Sequence, residues 1–494
     1  MRRIVLTALI AAGALGVLSA VVVYRTLRLT SAPEEPPLPM PQLAVDSVGV
    51  LERFAAALRY RTISHQDTSR VEHAEFERFH EFLYTSFPEV HRRLSCERVG
   101  GYSVLYRWQG SDTALPAVLL MGHMDVVPVE PGTEGNWRYP PFSGTIAEGY
   151  VWGRGAIDDK ITVMGILEAV EMLLRQGFQP TRDVYIAFGH DEEVGGAQGA
   201  RQIVALLQQR GVRIDWIMDE GGAVTVGMLP GVERPVAMVG VAEKGYMMVE
   251  LSASGRGGHS STPPTESPLG MVAAAVAAVE RSPMPARLEG AAAAMLDAIA
   301  PEMPFWQRML VANRWLFGNL LLRQLQQTPR GNATVRTTFA PTIFHAGVKE
   351  NVIPSTAQAA INVRLLPGDT PEEVVEHLRR VISHRGVQIA VQKVLSVPSP
   401  VADVHSRGFR VIQGVARSVF PEARVVPYLV LGATDSRHYT VMTPNIFRFL
   451  PVRLTPEEYQ TFHGADERLR VGEVLSAVRF YAALIYHAAG EVGQ

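Results

Sequence analysis

Three short uncharged runs, at 117–121 (AVLLM), 184–188 (VYIAF) and 216–218 (WIM), each lead into a cluster of acids or histidine. They are too short for helices and read as strands buried on both faces. Amphipathic segments at 160–174 and 200–209 fall between them. Such alternation folds as an α/β layer around a largely parallel sheet, which binds its ligands beyond the carboxyl ends of the strands. That one pattern fixes where chemistry is to be sought.

Upstream, 48–60 and 72–87 have helical spacing. After 241 the texture changes. Strands are predicted at 247–253, 335–339, 357–365 and 387–394, and helices at 268–279 and 371–382, the latter opening after Thr370. The order βαββαβ is that of a small ferredoxin-like sandwich. A helical insertion at 283–327 interrupts it, and the α/β pattern resumes near 398 and ends in a helix at 467–488. The chain is long enough for two or three domains. The expectation is a domain at 46–240 and 398–494, with a second domain at 241–397 inserted into it.

Residues 4–24 carry no charge, with Arg2 and Arg3 before and Arg25 and Arg28 after. About 20 apolar residues cross a hydrocarbon core, and a signal peptide's apolar region is normally shorter. Residues 1–30 are therefore expected to be a single-pass membrane anchor with the body exported; a removed signal peptide is the competing reading. The Pro-rich stretch within 31–45 is expected to be an extended spacer that holds the body off the membrane. A net charge of -2 with no long charged run gives no reason to propose nucleic acid as a partner. The single cysteine, Cys96, excludes an internal disulfide and a thiolate cluster, so any metal must be held by histidine and carboxylate.

The clusters supply such groups. In GHMD, His123 and Asp125 lie two apart and point the same way in extended backbone, so Asp125 can hold one imidazole nitrogen while the other binds metal. In GRGAIDDK, glycines allow a turn that presents Asp158, which otherwise simply caps the next helix. His190-Asp191-Glu192-Glu193 crowds carboxylates at a strand end, which is costly without positive charge among them. Asp219 and Glu220 come directly after the third run, and His463 precedes the last helix. Each cluster alone has a bland reading. Together they provide two metal ions with mixed nitrogen and oxygen ligands.

With GHDEEVGG, MDEGG and FHGADERL, the chain resembles the zinc metallopeptidase family of carboxypeptidase S, aminoacylase and glutamate carboxypeptidase, nearest the carboxypeptidase S branch with its N-acyl-amino-acid hydrolases. The resemblance implies a zinc exopeptidase-like α/β catalytic domain interrupted by a ferredoxin-like lid and dimerisation domain, a homodimer, and two Zn2+ per subunit. It implies that His123 and His463 bind opposite zinc ions, that Asp158 bridges them, and that Glu193 is a ligand. Asp219 or Glu220 completes the set; these neighbours remain equivalent in the sequence. Glu192 becomes the general base, with Asp125 orienting His123. His259 in GGHSS matches a lid histidine that reaches a partner's site. Asn351 and Arg364 match residues that grip a substrate carboxylate, and Gly432 and Thr434 lie in a matching glycine-rich loop. The implied substrate is a small peptide or N-acyl amino acid. A non-catalytic binding module that kept the fold is the alternative, as is a metal with a purely structural role.

Overall fold

The computed structural model describes residues 2–30 and 34–490. Its longer strands, in chain order, are β1 (Ser95–Val99), β2 (Ser103–Trp108), β3 (Ala117–His123), β4 (Val184–Gly189), β5 (Ile214–Thr225), β6 (Val236–Glu243), β7 (Gly245–Ser254), β8 (Thr338–Ala346), β9 (Thr356–Leu365), β10 (Val387–Ser396), β11 (Arg424–Val430) and β12 (Ile446–Leu454). The main sheet has eight strands in the order β1-β2-β4-β3-β5-β12-β6-β11. Its centre is parallel (β4–β3, β3–β5, β5–β12), and β6–β11 is parallel as well. Antiparallel pairs finish the β1–β2–β4 end. Every residue of β3 and β4 is buried, which is why these runs are uncharged rather than alternating. Helix Lys160–Arg175 packs on the C-terminal helix Val471–Ala489; at the crossing a Cβ on Gly165 would stand 3.0 Å from the Tyr481 ring.

A second, four-stranded sheet runs β8-β9-β7-β10, every pair antiparallel. Helices Pro268–Arg281 and Pro371–Val381 bury Val272, Val279, Val374 and Leu378 against Val249, Ile361 and Val363 on one face. Thr370 and Glu373 form a reciprocal capping box at the start of the second helix. This is the ferredoxin-like order. The strand expected at 335–339 starts later, at Thr338, because Val335 closes a helix, Pro329–Val335. The insertion forms helices Gly290–Ile299, Phe305–Ala312 and Arg314–Leu325, and it packs on the main sheet: Leu296, Ile299, Val311 and Leu321 meet Val236, Met238, Val426 and Tyr428.

Helix Arg2–Arg28 has an 18-residue window of mean hydropathy 2.4, none of it buried. The segment after it corrects the spacer reading. Residues 31–33 of that stretch lie outside the described residues, but from Glu34 onward the chain is docked on the body. Glu34 pairs with Arg424 at 3.2 Å, Leu38 N donates to Gly414 O, and Pro39 O meets His487 Nε2 at 2.7 Å. Proline composition predicts an extended backbone and says nothing of what that backbone leans on. The last helix also begins later than expected, at Val471, and Glu467 lies outside it, fully buried.

Candidate metal centre and active site

His123 ends β3, and its Nε2 stands 2.9 Å from Asp158 Oδ1 and 3.3 Å from Glu220 Oε1. His463 Nε2 stands 2.8 Å from the other oxygen, Asp158 Oδ2, and 3.5 Å from Glu193 Oε1. The result is two triads, His123/Asp158/Glu220 and Asp158/Glu193/His463, each with its ligand atoms within 4.8 Å of one another. Asp158 belongs to both. Residues from all five clusters therefore meet in the fold, with Glu193 and His463 on one side and Glu220 on the other.

Geometry brings Glu220, and not Asp219, into the triad with His123 and Asp158. β5 continues to Thr225, past the expected end at 218, and carries a bulge. Asp219 pairs with Arg448 and Gly222 with Phe449, which leaves Glu220 and Gly221 as extra residues. The bulge turns Glu220 toward His123. Asp219 points elsewhere, its Oδ2 accepting from Ser436 N at 3.0 Å. Gly221 has φ 144°, and a Cβ there would meet the Arg448 side chain at 2.8 Å.

Asp125 does more than expected. His123 Nδ1 meets the Asp125 carbonyl oxygen at 2.9 Å and the carboxylate Oδ1 at 3.4 Å. The Asp125 carboxylate, fully buried, accepts from Ser64 Oγ (2.6 Å) and from the backbone N–H of Glu192 and Glu193 (both 3.2 Å). It thus positions the two glutamates rather than the imidazole alone. In the same run, Asp191 accepts from Gln198 N and Gly199 N, and His190 Nδ1 meets Ser103 Oγ at 2.6 Å; both close the turn.

Electrostatics bear on whether cations fit. Burial, joined by Asp158, pushes the Glu220 carboxyl up to about 8. Burial also raises Glu193, and raises Glu192 well above the usual range, His123 opposing and Asp435 adding. The Asp158 and Glu193 carboxylates push His463 up to about 10. Despite burial, Glu220, Asp125 and Asp158 hold His123 well above its usual value. Each imidazole is drawn toward a positive charge by the carboxylates around it, and a cation placed among those carboxylates would be stabilised in the same way. Among the described residues, Glu193 Oε1, buried against this cluster, has no hydrogen-bond partner beyond the 3.5 Å approach of His463 Nε2. Imidazole nitrogen plus carboxylate oxygen suits borderline divalent metals. The residues fit two ions sharing Asp158.

A clamp that sequence reading missed ties the triads together. Arg154 Nη1 donates to Glu467 Oε2 at 2.6 Å, and Arg154 Nη2 to the carbonyls of His463 (3.1 Å) and Gly464 (3.0 Å). Glu467 also accepts from the N–H groups of Gly155 (3.0 Å), Ile157 (2.8 Å) and Asp158 (3.2 Å). One buried ion pair thus fixes the loop bearing Asp158 and the loop bearing His463. It holds His463 at φ 57°, a left-handed conformation that costs a non-glycine residue roughly 1–2 kcal/mol.

Beside Glu192, Arg437 Nη1 lies 3.8 Å from Oε1 and donates to Thr434 O at 2.9 Å, and among the described residues its buried Nε and Nη2 have no hydrogen-bond partner. Arg364 stacks on Tyr246, 4.6 Å from the ring centre; burial lowers its proton affinity, Tyr246 opposing and nearby Arg437 adding. Thr434 is buried, its N–H and Oγ1 both donating to Glu243, so it anchors its loop from behind; Gly432 is exposed in that loop. His259 and Asn351 sit together on the smaller domain: a short ribbon pairs His259 with Val352, and Ser260 N donates to Asn351 O. Both are exposed, and His259 Nδ1 accepts from Ser261.

A mixed, mostly parallel α/β sheet with paired histidine–carboxylate triads at its carboxyl edge, joined to a ferredoxin-like sandwich, defines a metal-dependent hydrolase. Residues 119–487 match Peptidase family M20/M25/M40, and the chain belongs to that family. It is 39% identical over 472 residues to the probable carboxypeptidase S-like 2 of Dictyostelium discoideum, covering 94% of this chain and 90% of that one. It is 40% identical over 443 residues to the N-fatty-acyl-amino acid synthase/hydrolase PM20D1 of Xenopus tropicalis, covering 89% and 86%. The same fold occurs in the M20 family metallo-carboxypeptidase Sso-CP2 of Sulfolobus solfataricus, with TM-score 0.65, 20% identity, and coverage of 90% and 99%.

Proposed function

We propose that the protein hydrolyses the amide bond between an acyl group and an amino acid whose carboxylate is free. The observation that carries this reading is the pair of triads sharing Asp158, with the buried Glu192 carboxyl set between Arg437 and the cluster. His123, Asp158 and Glu220 would hold one zinc ion, and Asp158, Glu193 and His463 the other. Zinc so held supplies Lewis acidity and lowers the pKa of a bound water toward about 7.

The chain's own groups do the rest. Glu192 takes a proton from the attacking water. The water oxygen bonds to the amide carbon, the carbon–nitrogen bond breaks, and Glu192 returns the proton to the leaving nitrogen. Burial raises its carboxyl, which suits it to both transfers. No serine or cysteine nucleophile takes part. In this reading Arg364 and Arg437 receive the substrate carboxylate, Arg364 through the bidentate pairing a guanidinium favours. Asn351 and His259 belong to the same reading, with His259 steadying the oxyanion in a partner subunit's site, so the working form is a homodimer. The N-terminal helix is read as an anchor, with the body on the exported side.

A fatty acyl group is favoured over a dipeptide by a cavity of about 490 Å³ lined by Met228, Met238, Met295, Leu310, Leu321 and Tyr428. At its rim, the Arg330 guanidinium lies 4.8 Å from the Tyr459 ring centre; Tyr459 stacks on Phe462, and Phe462 packs against His463.

The test is Glu192→Gln in zinc-loaded protein. Metal content stays at wild type while hydrolysis of N-acyl amino acids is lost; substantial residual turnover removes Glu192 from its role. Wild-type activity on dipeptides alone selects the carboxypeptidase form of the reaction.

A further inference from the structure

We infer that the helical insertion is a second membrane contact, lying flat on the same bilayer that the N-terminal helix crosses. This rests on reading that helix as a retained anchor.

The base of the anchor is joined to the insertion. Asn313, buried, donates from Nδ2 to Val22 O and to Thr26 Oγ1, both at 3.1 Å, and Arg25 Nε donates to Ala312 O at 3.3 Å. Val22 and Thr26 are the buried residues of the helix, and Leu29 packs into the insertion's core. The helix above this point stands free, at a length that spans a hydrocarbon core of about 30 Å. The bilayer surface therefore lies beside helices Phe305–Ala312 and Arg314–Leu325.

Those two helices turn large apolar side chains outward. Phe305 and Trp306 on the first, and Trp315, Leu316 and Leu320 on the second, are each at least 41% exposed. Single exposed apolar residues need no explanation, but a cluster of them marks a contact surface. The tryptophans sharpen the point. Of six in the chain, Trp108, Trp137, Trp152 and Trp216 are buried, and Trp306 and Trp315 are the exposed pair. Tryptophan concentrates at membrane–water interfaces, where an apolar ring with one polar edge is most stable. Residues 305–330 include no acidic residue; Arg314 pairs with Asp297 and Arg330 stacks on Tyr459, which leaves Arg308 and Arg323 as the cations suited to anionic headgroups. The docked segment after the anchor also keeps the body close instead of letting it float away. The inner faces of the same helices line the apolar cavity, so the platform sets that cavity at the lipid surface.

The test uses the full chain in vesicles of phosphatidylcholine and phosphatidylserine, with or without bromine atoms high on the acyl chains. Flotation reports anchor insertion, and bromine quenching of intrinsic fluorescence reports tryptophan at the interface. The expected result is flotation with loss of up to a third of the emission, the share of two tryptophans in six. Most of that loss should disappear in Trp306→Phe/Trp315→Phe, a change mild enough to keep the fold. Flotation with unquenched emission overturns the platform while leaving the anchor intact. Failure to float removes the anchor reading and the platform with it. If emission is unquenched and Trp306→Glu/Trp315→Glu turns a dimer into monomers, the surface belongs to a second copy of the chain, and the inference is wrong.

Discussion

Replacing Glu467 by glutamine tests whether the two triads are held by one buried clamp. Glu467 and Arg154 are both almost inaccessible, and the carboxylate accepts from one guanidinium nitrogen and three backbone N–H groups. A carboxamide keeps one acceptor oxygen and turns the other position into a donor, facing either Arg154 or backbone N–H. Breaking a buried pair by removing one partner costs about 3–5 kcal/mol, because the remaining charge is left uncompensated. Against a total stability of about 5–15 kcal/mol that is a large loss. It falls on the loops carrying Asp158 and His463, so zinc affinity should drop about 10–100-fold, the usual effect of losing a group that orients a ligand. The assay is the urea midpoint of the near-ultraviolet signal, together with zinc competition against a chelating dye. Arg154→Met/Glu467→Met should lose less than the sum of the single changes, since removing both charges leaves none unpaired. A Glu467→Gln protein within about 1 kcal/mol of wild type and with unchanged zinc affinity, or strictly additive single changes, would refute the clamp.

The same geometry sets other outcomes. Glu220→Gln should weaken zinc binding far more than Asp219→Asn, measured by metal content after dialysis; the reverse ranking contradicts the bulge at Glu220. Arg437→Met should raise KM at least about tenfold with a smaller change in kcat, because the carboxylate is gripped in ground and transition states alike. Chelation should abolish turnover and leave the far-ultraviolet dichroism intact; unfolding would instead mark the metal as structural. Burial lowers Lys160 to about 7, where its Nζ donates to Ala57 O and Tyr60 O. The folded state holds this proton more weakly than the unfolded chain, whose lysines titrate near about 10.4. Stability therefore falls as pH drops from about 10 through about 7, and urea midpoints across that range should flatten in Lys160→Met. His259→Ala should regain activity in mixed dimers with Glu192→Gln; absence of rescue argues against a lid histidine acting across subunits.

Much of this site was legible in the sequence, because buried parallel strands must be uncharged and their ends must not be. The AVLLM, VYIAF and WIM runs announce themselves, and the polar residues beyond them can only be exposed or functional. What stayed hidden depends on local detail or on distance. Asp219 and Glu220 are equivalent until the bulge fixes which one β5 turns toward His123. Asp125 was expected to hold His123 by its carboxylate; its carbonyl stands closer to the same nitrogen, a backbone contact that alternation along a strand does not reveal. Arg154 and Glu467 lie 313 positions apart, and each reads alone as an ordinary surface charge. Arg437 sits in a loop singled out for its glycine and threonine, and only its unpartnered nitrogens reveal the stronger candidate.

The sharing of Asp158 has a consequence for the birth of the protein. Ribosomes deliver the chain from its N-terminus, so His123, Asp158 and Glu220 emerge together while His463 is still unmade. A nascent chain can close the first triad and has no means of closing the second. Until His463 has been made the two-site centre lacks one of its two imidazoles, so its completion waits on the order of synthesis.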